Sequence, residues 1–509
     1  MNDALSVLRQ LEARGVSVRN LVADSRRVRP GDVFVAYPGA QADGRDFVAR
    51  AAANGAIAAI VEAGGGVEAM LPSLPVVAVK NLAALTGELA HRVYGRPSEQ
   101  LWLAGVTGTN GKTSVSQWIA QLSNLLGQRC AVIGTLGNGF PGTLEDSPNT
   151  TPDAITLHRQ LASFLAQGAK ACAMEVSSIG LDQGRVNAAC VDVAVFTNLT
   201  RDHLEYHGTM EAYGAAKERL FHWPGLSAAV MNLDDPFGAQ LTRRLRGRVR
   251  TLGYGLGGAY RDSGADELLQ AENFATTPGG IAFDVRGVRV EAPVVGRFNA
   301  SNLLAVIGAL MARGERLEDI ALAARQLTPS PGRMQGIGGK DEPLIVVDYA
   351  HTPDALEKAL GVLRETASAR GGSLICVFGC GGDRDPGKRA PMGAVADALA
   401  DQVVVTSDNP RSEDPQAIIA VILAGMQRPR VEPDRAKAIY FAIMQASDRD
   451  LILIAGKGHE PYQEIAGVRH PFSDIDAAKS ALALRQRSSP VGRPCKTGQG
   501  SRLEGEDVA

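Results

Sequence analysis

Val106-Thr-Gly-Thr-Asn-Gly-Lys-Thr113 follows an apolar run, Leu101 to Val106, and opens a helix-like run, Ser114 to Leu126. A strand, a glycine turn and a helix N-terminus make a nest of backbone N–H groups suited to phosphate. Gly108, Thr109, Asn110 and Gly111 form the turn. Lys112 adds a point charge for terminal phosphates, and the Thr113 hydroxyl can hold Mg²⁺. The common pattern G-x-x-x-x-G-K-[ST] is not met letter for letter. Val106 stands five residues before Gly111, and the upstream glycines are Gly105 and Gly108. The loop is a variant, set in an α/β context.

Working outward, apolar strands alternate with helical stretches from residue 99 to about 330. The strand candidates are Leu101–Val106, Cys130–Ile133, Ala171–Val176, Val191–Thr197 and Ala228–Asn232. Such alternation predicts a parallel sheet wrapped by helices, with ligands at the carboxyl ends of the strands. Thr251 to Val295 is richer in glycine and reads as a small β insertion. Residues 1–97 carry shorter strand candidates, Asp32–Tyr37 and Ala56–Val61, around an alanine-rich helix from Asp46 to Asn54. Gly95-Arg-Pro-Ser98 is turn-like and marks a boundary. A second boundary lies near Thr328-Pro-Ser-Pro-Gly332. Beyond it the alternation restarts with Leu344–Asp348, Ser373–Phe378, Gln402–Thr406 and Asp450–Ile454. The reading is three α/β domains: 1–97, a central P-loop ATPase-like parallel sheet over 98–330, and a Rossmann-like domain over 331–487. A Gly/Ser/charged tail over 488–509 reads as disordered.

Composition excludes several classes. With 509 residues, 45% hydrophobic and 21% charged, the chain is an ordinary globular protein too long for one core. A formal charge of −2 gives no electrostatic case for nucleic acid. No apolar run approaches the ~20 residues of a membrane span, and no secretory signal is visible. Six cysteines are scattered and lack zinc-like spacing, which suits buried reduced thiols in a cytoplasmic protein.

Further polar groups fall at strand ends. Met174-Glu-Val-Ser-Ser178 ends a strand with a carboxylate, and Mg²⁺ prefers carboxylate, hydroxyl and phosphate oxygens, so Glu175 pairs with Thr113. Thr197-Asn-Leu-Thr-Arg-Asp-His-Leu-Glu-Tyr-His-Gly208 makes His203, beside Asp202, a ligand candidate; His207 is a weaker one. Lys217, in an otherwise unremarkable helix, Ala212-Tyr-Gly-Ala-Ala-Lys-Glu-Arg219, reads by itself as a surface residue. Near the C-terminus, Phe378-Gly-Cys-Gly-Gly-Asp-Arg-Asp385 is a second glycine loop without dinucleotide spacing. Ser407-Asp-Asn-Pro-Arg411 carries an Arg suited to a bidentate grip on a carboxylate. Ala455-Gly-Lys-Gly-His-Glu460 is a third such loop. Three polar strand-end loops in one domain suggest a small charged substrate, and chemistry shared with the phosphate loop calls for domain closure.

Taken together, Thr107-Gly-Thr-Asn-Gly-Lys-Thr113 resembles the ATP loop of the Mur ligases, ATP-dependent amide-forming enzymes of peptidoglycan precursor synthesis. Asp24-Ser-Arg26, Gly31-Asp-Val-Phe-Val-Ala36, Pro38-Gly39 and Asp43-Gly44 resemble the family's N-terminal nucleotide-sugar domain. Asp408-Asn-Pro-Arg411 matches the members that add meso-diaminopimelate. The resemblance runs from Asp24 to about Asp474; Ala40 and Ile179 stand where a His is common.

The resemblance implies roles. Ser25, Gln41, Asn149, Thr150, Thr151, Ser177, Gln183 and Arg185 hold UDP-MurNAc-L-Ala-D-Glu. Gly108, Thr109, Asn110, Gly111, Lys112, Thr113, Asn302 and Arg333 hold ATP. Thr113, Glu175, His203 and Lys217 serve two Mg²⁺, with Lys217 carbamylated by CO₂. Lys112, Lys217, His203 and Glu175 make up the catalytic set. Arg384, Asp408, Asn409, Pro410, Arg411, Gly456 and Glu460 bind diaminopimelate. The implied reaction joins that amino acid to D-glutamate through an acyl phosphate, in a cytoplasmic monomer. An L-lysine-adding or MurF-type ligase is the alternative within the class, and a non-catalytic ATP-binding switch is the alternative outside it.

Overall fold

The computed structural model describes residues 3–39, 42–64, 74–258, 260, 262–277, 280–329, 332, 334–427 and 430–488. Gln41, Arg333 and the tail beyond Ser488 lie outside the described residues. The chain divides into two compact units, Met1–Gln335 and Gly336–Ala509.

The first unit holds two sheets. Near the N-terminus, four parallel strands run in the order Leu21–Val22, Val33–Ala36, Ala58–Glu62, Val76–Val79. Val7 and Leu11 of the helix Ala4–Glu12 and Leu82 and Leu89 of the helix Leu82–Val93 pack on Val33, Val35 and Ile60.

The larger sheet has eleven strands. At its centre Trp102–Thr107 lies between Ala171–Glu175 and Val193–Phe196, all parallel. Phe196 stands opposite Thr107, and Glu175 opposite Val106, so three strands end at one edge. That register brings the loops after residues 107, 175 and 196 together. Side chains alternate across the central strand: Ala104 and Val106 join the core beneath the helices Lys112–Leu125 and Arg297–Arg313, while Leu101 and Leu103 face Leu157, Leu161 and Phe164. Burying each such Leu, Val or Phe contributes roughly 1.5–3 kcal/mol. The stretch read as a small β insertion extends this sheet: Arg250–Gly255 pairs in parallel with Ala228–Asn232, and Glu267–Thr277, Gly280–Val285 and Val288–Ala292 continue to its edge, the last two pairings antiparallel. At the opposite edge a hairpin of Gly137–Phe140 and Thr143–Glu145, not expected from its glycine-rich sequence, adds to Cys130–Gly134.

In the second unit six strands run in the order Gln335–Gly338, Leu344–Asp348, Leu451–Ala455, Leu374–Phe378, Gln402–Val405, Arg430–Val431. The five after the first are parallel. A hairpin of Tyr462–Ile465 and Val468–Pro471 follows the Leu451–Ala455 strand. Cys130, Cys172, Cys376 and Cys380 are buried free thiols, as their apolar surroundings predict. Among the described residues, no helix is long and apolar enough to cross a membrane.

Candidate active site

The phosphate loop is held open by glycine. Gly108 has φ 149° and Gly111 φ 86°, both unfavourable to side chains. A Cβ on Gly108 would collide with the Thr197 hydroxyl, and one on Gly111 would lie 2.5 Å from Asn302 Oδ1. Asn302 therefore sits against the loop. The neighbouring strand-end segment braces the turn. Thr109 N donates to Asn198 O at 2.8 Å, Asn110 N to Asn198 Oδ1 at 2.9 Å, and Thr197 Oγ1 to Asn110 O at 2.6 Å.

A cavity of about 270 Å³ opens over this loop, lined among others by Lys112, Thr113, Thr150, Glu175, Ser177, His203 and Lys217. Glu175 is 1% exposed. Its Oε2 accepts from Thr113 Oγ1 and Thr135 Oγ1, both at 3.1 Å, and its Oε1 from Thr135 N at 2.8 Å. A buried carboxylate beside two hydroxyls is a hard-oxygen donor set that fits Mg²⁺. His203 faces the same cavity but is 43% exposed, with its ring nitrogens 3.5 Å from Asp202 Oδ2 and 3.4 Å from Glu205 Oε1.

Lys217 corrects the surface reading that its helix suggests. It is 1% exposed. Gly214, where a Cβ would come within 2.8 Å of Phe237, lets the helix Met210–Glu218 pack closely on the helix Pro236–Leu245, and Lys217, three residues further along it, is buried. Its Nζ donates to Gly108 O at 2.9 Å and lies 4.2 Å from the centre of the Tyr213 ring. Burial, reinforced by the Lys112 charge, lowers its pKa to about 6. Lys112 Nζ donates to two carbonyls of its own loop, Gly108 O at 2.9 Å and Thr109 O at 2.8 Å.

Beside the cavity, Thr151 Oγ1 donates to Glu175 O at 2.9 Å and accepts from Ser177 N at 3.0 Å. Ser177 caps the helix Ser178–Asp182 through Gly180 N. Arg185 donates to Thr151 O at 2.9 Å and, through its Nε and terminal nitrogen, to Gln183 Oε1 at 2.9 and 2.7 Å. Thr150 Oγ1 meets Thr135 Oγ1 at 3.0 Å, and Asn149 O accepts from Ser147 Oγ. Ser25 is buried in a turn of the N-terminal sheet, its carbonyl bonded by Asn54 Nδ2, apart from the cavity lining.

In the second unit the three strand-end loops converge. Asn409 Nδ2 donates to Glu460 Oε2 at 2.7 Å, and Gln463 Nε2 to Asp408 O at 2.7 Å. A Cβ on Gly456 would clash with Asp408 Oδ2. Burial raises the Asp408 pKa, against the nearby Arg435 and Lys457 charges. Arg411 has φ 51° and donates to Gly382 O at 2.6 Å. A Cβ on Gly381 would lie 3.0 Å from a terminal nitrogen of Arg411 and 3.9 Å from Arg384 Cγ, so both side chains pass that glycine. The glycine loop after Phe378 thus seats Arg411, and Gly382 also packs closely on Pro410 O. Arg435, buried with Asp474, donates to Ser407 O and Ala455 O and ties two of the loops together.

Along most of its length the chain is similar to known proteins. The models "Mur ligase family, catalytic domain", "Mur ligase middle domain" and "Mur ligase, glutamate ligase domain" match residues 17–94, 106–310 and 332–458. A relative from Chromobacterium violaceum named UDP-N-acetylmuramoyl-L-alanyl-D-glutamate–2,6-diaminopimelate ligase is 52% identical over 93% of this chain and 96% of its own length. The chain belongs to the Mur ligase family. A Pseudomonas aeruginosa relative of the same name is also 52% identical, over 92% of this chain and 96% of its own. A solved structure with that name superposes with TM-score 0.71 at 40% identity, covering 92% of this chain and 95% of the other. A MurF ligase from Thermotoga maritima in complex with ADP, at 20% identity and TM-score 0.59, covers 96% and 99% and shares the fold.

Two groups of this Mur ligase were not singled out from sequence. Tyr213, whose hydroxyl lies 3.2 Å from Thr109 Oγ1, reads as a helix-face aromatic until the helix is docked. Lys457 lies in a loop noted for its ionisable groups, but nothing in the chain order pairs it with Asn409.

Proposed function

We propose that this Mur ligase uses ATP to join meso-diaminopimelate to the D-glutamate of UDP-MurNAc-L-Ala-D-Glu, in peptidoglycan precursor synthesis. What carries the reading is likeness along nearly the whole chain to relatives named for that reaction, at 52% identity. The geometry of the two units supports it. Residues 1–97 take the nucleotide-sugar end, 98–330 take ATP, and 331–487 take the amino acid.

ATP phosphorylates the D-glutamate side-chain carboxylate to an acyl phosphate. This step brings two anions together, so charge neutralisation dominates the barrier. Backbone N–H groups of Gly108 to Gly111, Lys112 and, in this reading, Asn302 and Arg333 receive the nucleotide. Lys112 rests on carbonyl oxygens, which phosphate oxygens can replace with stronger charge-assisted bonds. Thr113, Glu175 and His203 would hold Mg²⁺, which when bound supplies charge neutralisation at the phosphates.

Lys217 is well placed for carbamylation. Only a neutral amine attacks CO₂, and a buried amine with a pKa of about 6 is neutral at physiological pH. The carbamate formed there would add an oxygen ligand for a second metal ion. Thr150, Thr151, Ser177, Gln183 and Arg185, with Ser25, Gln41 and Asn149, orient the acceptor. Arg384, Asp408, Asn409, Pro410, Arg411, Gly456 and Glu460 position the incoming amine, which must be neutral when it attacks. Expulsion of phosphate from the tetrahedral intermediate leaves the amide.

Every group the reading needs is present in one chain, so we take it to act as a monomer in the cytoplasm, where ATP and UDP-sugars are available. The test is phosphate release from ATP with UDP-MurNAc-L-Ala-D-Glu and, in parallel, meso-diaminopimelate, L-lysine or no amine. Release that depends on meso-diaminopimelate is expected. Release with L-lysine alone would assign the lysine-adding alternative, and amine-independent binding without turnover would assign a switch.

A further inference from the structure

Lys457 has no place in the chemistry above, yet it is wholly buried, with an exposure of 0%. A lysine is rarely taken out of water unless its charge is paired. Its Nζ donates to Asn409 Oδ1 at 3.0 Å and to Glu460 Oε2 at 3.1 Å. The same Glu460 oxygen accepts from Asn409 Nδ2 at 2.7 Å. Asn409 Oδ1 also accepts from Glu464 N at 2.9 Å.

These bonds fix the orientation of the Asn409 amide. Two donors face Oδ1 and an acceptor faces Nδ2, so the reversed amide would set donors against donors. With its oxygen occupied twice, Asn409 retains one N–H for any ligand. Lys457 and Asn409 therefore grip one oxygen of Glu460 and leave its other oxygen to accept from a ligand.

We propose that Lys457 is a positioning residue for the amino-acid substrate. It acts through Glu460, holding one oxygen of that carboxylate so that the other is oriented to receive an ammonium group of the incoming diamino acid. The inference rests on the proposed function. It adds that Asn409 acts chiefly as a bridge between Lys457 and Glu460, so that recognition of the ammonium depends on a cation that never touches it. The Lys457 charge also works against the burial that raises the Asp408 pKa.

The test is a double-mutant cycle on the full-length enzyme, with steady-state kinetics for each substrate and thermal unfolding for each variant. Lys457→Met keeps the stem and removes the charge. We expect its KM for meso-diaminopimelate to rise about tenfold or more, with KM for ATP and for the UDP-linked substrate unchanged. Glu460→Gln should show a similar selective loss. The double variant should lose no more than the worse single variant, because both changes break one device. Effects that multiply, or equal losses toward all three substrates, would overturn the inference. Lys457→Gln guards against misfolding, since it is shorter and still polar. If both Lys457 variants fail to fold, the lysine is structural and the inference is wrong. Wild-type enzyme inactive with every amine would instead overturn the proposed function.

Discussion

The phosphate loop and the amino-acid loops both bury a lysine, but in opposite ways. Lys217 rests on a neutral carbonyl, Gly108 O, and burial drives its pKa down to about 6. Lys457 is locked to a carboxylate, Glu460. A lysine held only by a carbonyl gives up its proton readily and can then react as a neutral amine. A cation paired with a carboxylate in a buried network does neither, because separating the two leaves uncompensated charge at a cost of about 3–5 kcal/mol. The first region is built to change state during a cycle. The second is built to stay as it is and select.

Losing Lys217 should do the most damage. Lys217→Ala should lower phosphate release by about 100- to 1,000-fold or more while the protein unfolds at a similar temperature. Near-normal turnover would remove Lys217 from the chemistry. Next in size, Arg411→Ala should cost ~2–4 kcal/mol in kcat/KM for meso-diaminopimelate, with KM for ATP little changed. A loss spread evenly over all substrates would show that Arg411 only props its loop through Gly382. Gly111→Ala should raise KM for ATP by about tenfold to a hundredfold, since it combines a positive φ with an approach to Asn302. It should leave the second unit's preference between amines intact, as read from the ratio of rates with meso-diaminopimelate and L-lysine.

The smallest effect is one of pH. An ordinary lysine titrates near 10.5, whereas Lys217 titrates near 6 in the fold. Reactivation of CO₂-depleted enzyme by bicarbonate, corrected for dissolved CO₂, should climb through about pH 6 and level off above it. A rate still climbing past pH 9 would place an ordinary exposed amine in that role. The same shift has a consequence for stability. Between about 6 and 10.5 the unfolded chain holds a proton that the folded chain lacks, so this group's contribution to stability rises with pH across that window. In metal-free, CO₂-free protein, Lys217→Met should flatten that rise.

Much of the architecture was legible because buried parallel strands read as continuous apolar runs. Ala228–Asn232 and Leu344–Asp348 have the expected bounds, and the other expected strands shift by one or two residues. The phosphate loop was legible because its chemistry is local: glycines, a lysine and a threonine adjoin in the chain. What escaped depends on partners far away in sequence. Lys217 looks like a solvated residue from its own helix, and only the family resemblance singled it out; its burial depends on how that helix packs. The Gly137–Phe140 strand carries two glycines at positive φ and no apolar alternation, so its pairing comes from the neighbouring strand rather than from its own composition. The Lys457–Asn409–Glu460 network joins two loops that follow different strands. The loops could be grouped from sequence, but the bonds of Lys457 that link them could not.

The most direct measurement is product analysis in competition. Enzyme, ATP and UDP-MurNAc-L-Ala-D-Glu are mixed with equal meso-diaminopimelate and L-lysine, and the UDP-linked products are identified by mass spectrometry alongside the phosphate released. The account predicts one product carrying diaminopimelate, formed in step with phosphate. A lysine-bearing product, or phosphate released without any joined product, would contradict it.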